Sequence, residues 1–402
     1  MWQKIKNTYH LIQAFIAALY FNFPSRQLTV IGITGTDGKT TTVWMIYEIL
    51  KNSGFKVSQI SSLGALVGTS TFDTGFHTTT PSPWQIQKYL RKAVNLGNKY
   101  FVLEATSHGL DQNRLAFVKF KVAVITNITH EHLDYHKSQK RYLGAKAKLF
   151  RKVNFSILNF DDQSFDFLKS NVDGKIITYS AKSQADFNSR KLPLKLKIPG
   201  DYNLRNALAA AAAVSSLRIE KKKILSVLNN FGGVPGRMDE IDLGQNFQVF
   251  IDFAHTPNAL KEALRTLKSQ IPNSKSKLIA VFGSAGERDK AKRPLMGKIA
   301  AGIADVSILT AEDPRRERVE EICNEIVNGF ASEGKEEGKD YHLIYDREKA
   351  IKFAINLANE NDIVGFFGKA REKSMCFGKK EYPWDEFVAV EKAINERLKH
   401  GK

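Results

Sequence analysis

Residues 28–43, Leu-Thr-Val-Ile-Gly-Ile-Thr-Gly-Thr-Asp-Gly-Lys-Thr-Thr-Thr-Val, carry the first recognisable chemistry of the chain. An apolar, β-branched run reads as a buried strand, turns at Gly35 and Gly38, and gives way at Lys39 to a helical pattern opened by three threonines. Such a turn cradles phosphate. Glycines let backbone N–H groups close round phosphate oxygens, the helix presents its positive N-terminal end, Lys39 reaches the outer phosphates, and Thr40 can hold a divalent cation. The strict Walker spacing requires glycine at position 33, where Ile33 stands, so the match is to a subtype. The plainer alternative is a glycine-rich strand-to-helix turn beside a surface lysine.

Two further stretches offer chemistry at the ends of short apolar runs. Tyr100–Glu104 delivers Glu104, a hard oxygen ligand suited to Mg²⁺. Val122–Thr126 delivers Asn127-Ile-Thr-His-Glu-His-Leu-Asp-Tyr-His, in which His130, His132, Asp134 and His136 also invite a zinc reading through close nitrogen ligands. A phosphate-transfer site with Thr40 and Glu104 favours the oxygen-preferring ion; ordinary loop histidines are the remaining reading.

The elements that must position these groups alternate. Strand patterns at 28–33, 57–66, 100–104, 122–126 and 156–160 interleave with helical ones at 43–52, 84–95 and 138–150, which indicates a doubly wound parallel sheet with its ligand site at the strand C-terminal ends. Residues 171–199 suit short strands or an edge excursion, and Asp201–Ser216 holds an alanine run that reads as a close-packed helix. Asn229-Asn-Phe-Gly-Gly-Val-Pro-Gly236 is the strongest linker signal. The expected organisation is an N-terminal helical segment at 1–27, a P-loop nucleotide-binding domain at 28–230 and a smaller Rossmann-like α/β domain at 231–402.

With 402 residues, ordinary apolar content and two distant cysteines, Cys323 and Cys376, the chain reads as a cytoplasmic globular protein without a disulfide framework. Its 60 Lys and Arg against 42 Asp and Glu give +18, spread diffusely. That suits phosphorylated small ligands better than nucleic acid, which wants a clustered basic face. Residues 9–23 are too short and interrupted to span a membrane and lead through Pro24 without a cleavage site; they read as a helix packed on the first domain, with peripheral membrane or partner contact as the other reading.

Taken in order, these motifs resemble the Mur ligase superfamily, ATP-dependent amide-forming synthetases of cell-wall assembly, and within it the muramyl tripeptide synthetase (MurE) branch. The resemblance spans about residues 28–395 and rests on Gly35-Thr-Asp-Gly-Lys-Thr-Thr, Thr79-Thr-Pro, Glu104-Ala-Thr-Ser-His-Gly-Leu, the Asn127–His136 stretch, Ala145-Lys-Ala-Lys-Leu-Phe, Gly236-Arg-Met, Asp252-Phe-Ala-His-Thr-Pro, Arg288-Asp-Lys-Ala-Lys-Arg-Pro and Asp313-Pro-Arg. It implies a reaction in which ATP converts a carboxylate to an acyl phosphate that an amine then attacks, so that the protein chiefly positions reactants and neutralises crowded charge.

What the resemblance implies for residues can be stated position by position. Lys39, Glu104, His132 and Lys146 form the catalytic and metal environment with Thr40, Lys146 matching a lysine that carbon dioxide carbamylates to hold a second Mg²⁺. ATP is expected on Gly35, Thr36, Asp37, Gly38, Lys39, Thr40, Thr41, Asn127, Asn203, Asn206, Arg237, Asp252 and His255, and the muramyl dipeptide on Thr79, Thr80, Ser107 and Arg114. As bare sequence, Asn203 could cap its helix and Asp252 could end a strand.

Arg288, Asp313, Arg315, Gly368 and Glu372 match positions for the amino-acid substrate. Diaminopimelate-adding members carry Asp-Asn-Pro-Arg, where this chain has Glu312-Asp313-Pro314-Arg315. Arg315 favours diaminopimelate, whereas Asp313 adds negative charge where a zwitterion must sit. Gly368-Lys-Ala-Arg-Glu372 stands where the family has Gly-Lys-Gly-His-Glu. MurE proteins begin with a separate uridine-binding domain, which residues 1–27 are too few to form. The expectation is therefore a monomeric MurE-like ligase using ATP and Mg²⁺ to add a diamino acid, meso-diaminopimelate, to a UDP-muramyl dipeptide. Its rivals are a Mur-type ligase for an acceptor without UDP, such as an amide-forming or poly-amino-acid synthetase, and a nucleotide-binding protein without catalysis.

Overall fold

The computed structural model describes residues 2–75, 79–129 and 131–400. They divide into two compact units, Met1–Thr129 with His136–Gly232, and His130–Tyr135 with Gly233–Lys402.

In the first unit, α1 (Trp2–Tyr20) precedes β1 (Thr29–Thr34), α2 (Lys39–Asn52), β2 (Val57–Ser61), β3 (Gly64–Val67) and β4 (Ser70–Phe72). There follow α3 (Pro83–Asn95), β5 (Tyr100–Glu104), α4 (Ser107–Asp111), β6 (Phe120–Ile125) and, after the short α5 (Leu133–His136), of which Leu133–Tyr135 cluster with the second unit, α6 (Gln139–Ala147). The unit ends with β7 (Phe155–Asn159), α7 (Phe165–Lys169), β8 (Lys175–Ser180), β9 (Phe187–Asn188), α8 (Asp201–Ser215) and α9 (Lys221–Asn229). Its nine strands pair in the order β4-β3-β2-β5-β1-β6-β7-β8-β9. All ladders from β2 to β9 are parallel, with β3 and β4 added antiparallel at one edge.

The continuous strand expected over 57–66 is instead a hairpin. Gly64 has φ +109, a backbone that L side chains rarely adopt, and the chain reverses there so that Ser61 faces Gly64. β1 is buried from Val30 to Thr34, as its apolar run requires of a central parallel strand. Helix α3 starts from a capping box in which Ser82 and Gln85 satisfy each other's backbone, with Pro83 at the first helical position. The alanine run of α8 is entirely buried and packs against α2, where small side chains allow close approach. The polar 171–199 stretch supplies only the outer strands β8 and β9.

The second unit has β10 (Asp239–Glu240), β11 (Gln248–Asp252), α10 (Pro257–Lys268), β12 (Leu278–Phe282), α11 (Lys292–Ile303) and β13 (Val306–Leu309). It continues with α12 (Val319–Ala331), β14 (Tyr341–Leu343), α13 (Arg347–Leu357), β15 (Ile363–Phe367), the hairpin β16 (Ser374–Phe377) and β17 (Lys380–Pro383), and α14 (Glu386–His400). The six-stranded sheet runs β10-β11-β15-β12-β13-β14, parallel except for the antiparallel β10. In both units the side chains singled out from sequence fall largely at strand C-terminal ends, where doubly wound sheets bind ligands.

Candidate active site

In the first unit the loop between β1 and α2 is held by its neighbours on three sides. Gly35 (φ +145) could carry no side chain, since a Cβ would lie 1.8 Å from Thr126 Oγ1, and a Cβ at Gly38 (φ +80) would lie 2.2 Å from Asn206 Oδ1. Asn127 clamps the loop in both directions, accepting from Asp37 N and donating to Asp37 O, each at 3.0 Å, while Thr126 Oγ1 donates to Asp37 O at 2.6 Å. Thr36 Oγ1 lies 3.0 Å from Tyr142 Oη and accepts from Thr129 N. Lys39 Nζ donates to Thr36 O at 2.7 Å, spanning the loop.

Below the loop, Thr40 Oγ1 donates to Glu104 Oε2 at 2.9 Å and lies 3.0 Å from Ser62 Oγ, and Ser62 N donates to the same carboxylate oxygen. A hydroxyl at the start of α2 and a carboxylate at the end of β5 thus meet because β1 and β5 are adjacent strands in register, Ile33 opposite Glu104. Ser62, which the sequence reading passed over, sits at the hairpin turn and helps hold Glu104. Lys146, buried on α6, donates to Gly35 O at 2.5 Å and lies 4.6 Å over the Tyr142 ring, so its helix faces the loop.

Of the α8 residues expected from sequence to meet ATP, Asn203 Nδ2 donates back to Pro199 O at 2.6 Å, and Asn206 has a buried Nδ2 without a partner. Gly200, rather than Asn203, caps this helix. Thr80 Oγ1 donates to Glu104 O and accepts from Thr106 N, and Arg114 Nη1 donates to Thr80 O at 2.9 Å. Ser107 Oγ is buried without a partner, and Thr79 is half-buried beside Thr80. The structure therefore brings Thr40, Glu104, Thr80, Ser107 and Arg114 to one end of the sheet.

Zinc finds no support in the geometry. His136 packs against the rings of His108 and Tyr142, Asp134 is exposed, and His130 lies outside the described residues. Among the described residues, no group of three or more His, Cys, Asp or Glu could hold a metal ion. His132, with φ +57 and 3.9 Å from Glu131, belongs to the His130–Tyr135 segment that clusters with the second unit.

In the second unit, Asp252 ends β11 and accepts from Met238 N and Ala254 N, both at 2.8 Å, while burial raises its pKa. Arg237 stacks 4.5 Å over Phe253. His255 Nδ1 lies 3.0 Å from Phe253 O; burial, reinforced by the Lys292 cation, pushes its pKa down to about 3 and keeps the ring neutral.

Asp313 does not stand as a bare charge. Its Oδ1 accepts from Lys369 Nζ at 2.9 Å and from Cys376 N at 2.9 Å, and the same ammonium reaches Glu372 Oε2 at 2.7 Å. The negative charge that the sequence placed against a zwitterion is thus neutralised by a fully buried lysine. Arg315 (φ +53) is fixed by its N–H to Cys376 O and by Nη1 to Gly286 O, each at 3.0 Å, and Arg288 is exposed.

Sequence reasoning missed the support beneath these residues. Arg347 makes a buried bidentate pair with Glu386 and donates to Ala311 O and Phe367 O, tying the chain just before Asp313 to the chain just before Gly368. Glu312 is buried, its Oε2 has no partner, and burial pushes its pKa up to about 7. Gly368 (φ +102) leaves room for it, since a Cβ there would lie 2.7 Å from that oxygen. No sequence signal marked Arg347, because its partner lies 39 residues away.

Residues 33–214 match the Mur ligase middle domain and residues 236–370 match the Mur ligase, glutamate ligase domain. The UDP-N-acetylmuramoyl-L-alanyl-D-glutamate–2,6-diaminopimelate ligase of Caldanaerobacter subterraneus subsp. tengcongensis is 35% identical, with 96% of this chain and 82% of that protein covered. The UDP-N-acetylmuramyl-tripeptide synthetase of Borreliella burgdorferi is 39% identical over 94% of this chain and 78% of its own length. A solved structure of a UDP-N-acetylmuramoyl-L-alanyl-D-glutamate–2,6-diaminopimelate ligase shares 31% identity and superposes with a TM-score of 0.61 over 92% of this chain and 79% of its own. The folylpolyglutamate synthase of Mycobacterium tuberculosis, 16% identical with a TM-score of 0.70 over 98% of this chain and 94% of its own, shares the fold.

Proposed function

Because the chain belongs to the Mur ligase family and is an ATP-dependent ligase, we propose that it joins meso-diaminopimelate to the carboxylate of UDP-N-acetylmuramoyl-L-alanyl-D-glutamate through an acyl phosphate, in peptidoglycan precursor synthesis. The observation that carries this reading is the pairing of Thr40 with Glu104 directly beneath a glycine loop that backs onto Lys146. ATP phosphates would lie against the loop N–H groups, with Lys39 released from Thr36 O to meet them.

The Thr40 and Glu104 oxygens are the donor set that Mg²⁺ prefers, and Lys146 is the further candidate in the same unit to hold it. When bound, Mg²⁺ neutralises the crowded phosphate charge. Lys146 would contribute as a carbamate, formed when its amine adds to carbon dioxide with loss of a proton. Thr80, Ser107 and Arg114 would grip the dipeptide, and the unpartnered Ser107 hydroxyl suits a ligand acceptor. For the nucleoside, Asn203 and Asn206 are the candidates on the first unit, and Arg237, Asp252 and His255 are the candidates on the second.

For the amino acid, Arg315 and Arg288 supply cations for a distal carboxylate, and Lys369 removes the objection that Asp313 raises. Glu372 keeps a carboxylate for the ammonium end while sharing Lys369. The two free, buried cysteines suit a reducing compartment such as the cytoplasm. Phosphate release should require ATP, Mg²⁺, the UDP-muramyl dipeptide and diaminopimelate together. Release indifferent to the dipeptide would remove the acceptor assignment. Arg315→Ala should impair diaminopimelate use far more than ATP binding, and equal loss of both would contradict its role.

A further inference from the structure

Helix α1 is amphipathic in the wrong direction for a helix that merely packs on its domain. Its inward face is small and polar: Ala14, Ala17 and Ala18 are fully buried, Asn7 Nδ2 donates to Asp111 Oδ2, and His10 is desolvated enough to lower its pKa. Its outward face is large and apolar. Ile5, Tyr9, Ile12, Ile16, Leu19 and Tyr20 recur at helical spacing along one stripe, with Ile12 55% and Tyr20 71% exposed. Trp84, in tilted contact with Tyr20, and Phe117, in tilted contact with Phe15, extend the patch from neighbouring segments.

The helix is firmly seated despite this inversion. Arg91 donates through Nε and Nη2 to Phe21 O at 2.9 and 2.7 Å, and Asn113 Nδ2 reaches Asn7 O. Solvating such a stripe is unfavourable, and contiguous exposed apolar patches mark interaction surfaces.

Charge identifies the occupant. Residues 1–36 contain Lys4, Lys6 and Arg26 and no Asp or Glu, in a chain of net charge +18. A second copy of the chain would bring the same cations face to face, whereas an anionic lipid surface complements them. Tyr9, Tyr20 and Trp84 are the amphipathic rings that settle at headgroup depth. The helix is not apolar enough to cross, and its 19 residues lie about 28 Å long.

We propose that α1 docks the protein in the plane of an anionic lipid bilayer, its Ile5–Tyr20 stripe entering the headgroup boundary. The full chain should co-sediment with vesicles of phosphatidylglycerol and phosphatidylcholine, more weakly with phosphatidylcholine alone, and less as salt is raised. The double variant Ile12→Glu, Ile16→Glu should lose about tenfold or more in vesicle affinity, and Lys6→Glu should weaken binding without touching the stripe. Both change exposed side chains, and unaltered circular dichroism checks the fold. ATP-dependent phosphate release in free solution should be the same in wild type and variants, which separates this docking from the ligase reading. No sedimentation with anionic vesicles, or equal binding by the double variant, would overturn it. So would light scattering that shows a dimer dissociated by the double variant without vesicle binding.

Discussion

Replacing Lys369 with methionine tests whether its cation holds together Asp313 and Glu372, which we propose meet the amino-acid substrate. Nζ lies 2.9 Å from Asp313 and 2.7 Å from Glu372, with the lysine side chain fully buried. Burial alone would lower the lysine pKa, but Glu372 and Asp313 outweigh it and the net shift is upward. At an effective dielectric of about 20, each pair is worth roughly 6 kcal/mol of gross attraction, against several kcal/mol for desolvating the ammonium. Removing the cation also leaves the buried Asp313 carboxylate without its ionic partner, so a net loss of about 3–5 kcal/mol is expected.

Asp313→Asn alone should cost less, because an amide oxygen can still accept from Cys376 N. The double variant should recover about 1–2 kcal/mol relative to the sum of the single losses, since neither unpaired charge remains. Equilibrium urea unfolding of the four proteins measures this coupling, and the KM for diaminopimelate should rise about tenfold or more in Lys369→Met while that for ATP stays within about twofold. A loss below about 1 kcal/mol, or strictly additive single costs, would refute the argument.

Three other outcomes follow from the geometry. Glu312 holds its proton up to about pH 7 in the fold but only to 4.5 when unfolded; its contribution is therefore fully present below 4.5 and lost as pH rises through 7, by about 3 kcal/mol. Glu312→Gln should flatten that part of the stability profile, and an identical slope in both proteins would show that Glu312 is not the cause. Gly38→Ala adds a Cβ 2.2 Å from Asn206 Oδ1 at φ +80, so ATP affinity measured by calorimetry should fall about tenfold or more; an unchanged Kd would mean the loop relaxes freely. Thr40→Ala removes the hydroxyl on Glu104 and should raise the Mg²⁺ needed for half-maximal phosphate release by about tenfold with little change in the KM for the amino acid. Equal effects on both would point to misfolding of the loop.

The sequence by itself determined the local grammar: an apolar β-branched strand entering Gly35 and Gly38, a second carboxylate-tipped strand at Glu104, and an alanine helix able to approach α2 closely. These are short-range consequences of backbone freedom and side-chain size, so they were legible without contacts. The hairpin at Gly64 was not, because a mixed apolar and polar run does not reveal where its backbone needs a positive φ. Only the tertiary structure decided that Thr40 meets Glu104, since that depends on β1 and β5 being neighbours in register. It also decided that Asp313 is neutralised by Lys369, and that Arg347 reaches Glu386 to tie two loops together. Electrostatics depends on distance and burial, which packing sets. The same reason applies at the front of the chain: spacing marked residues 9–23 as helical and apolar, but only packing showed that the alanines face inward and the large side chains face out.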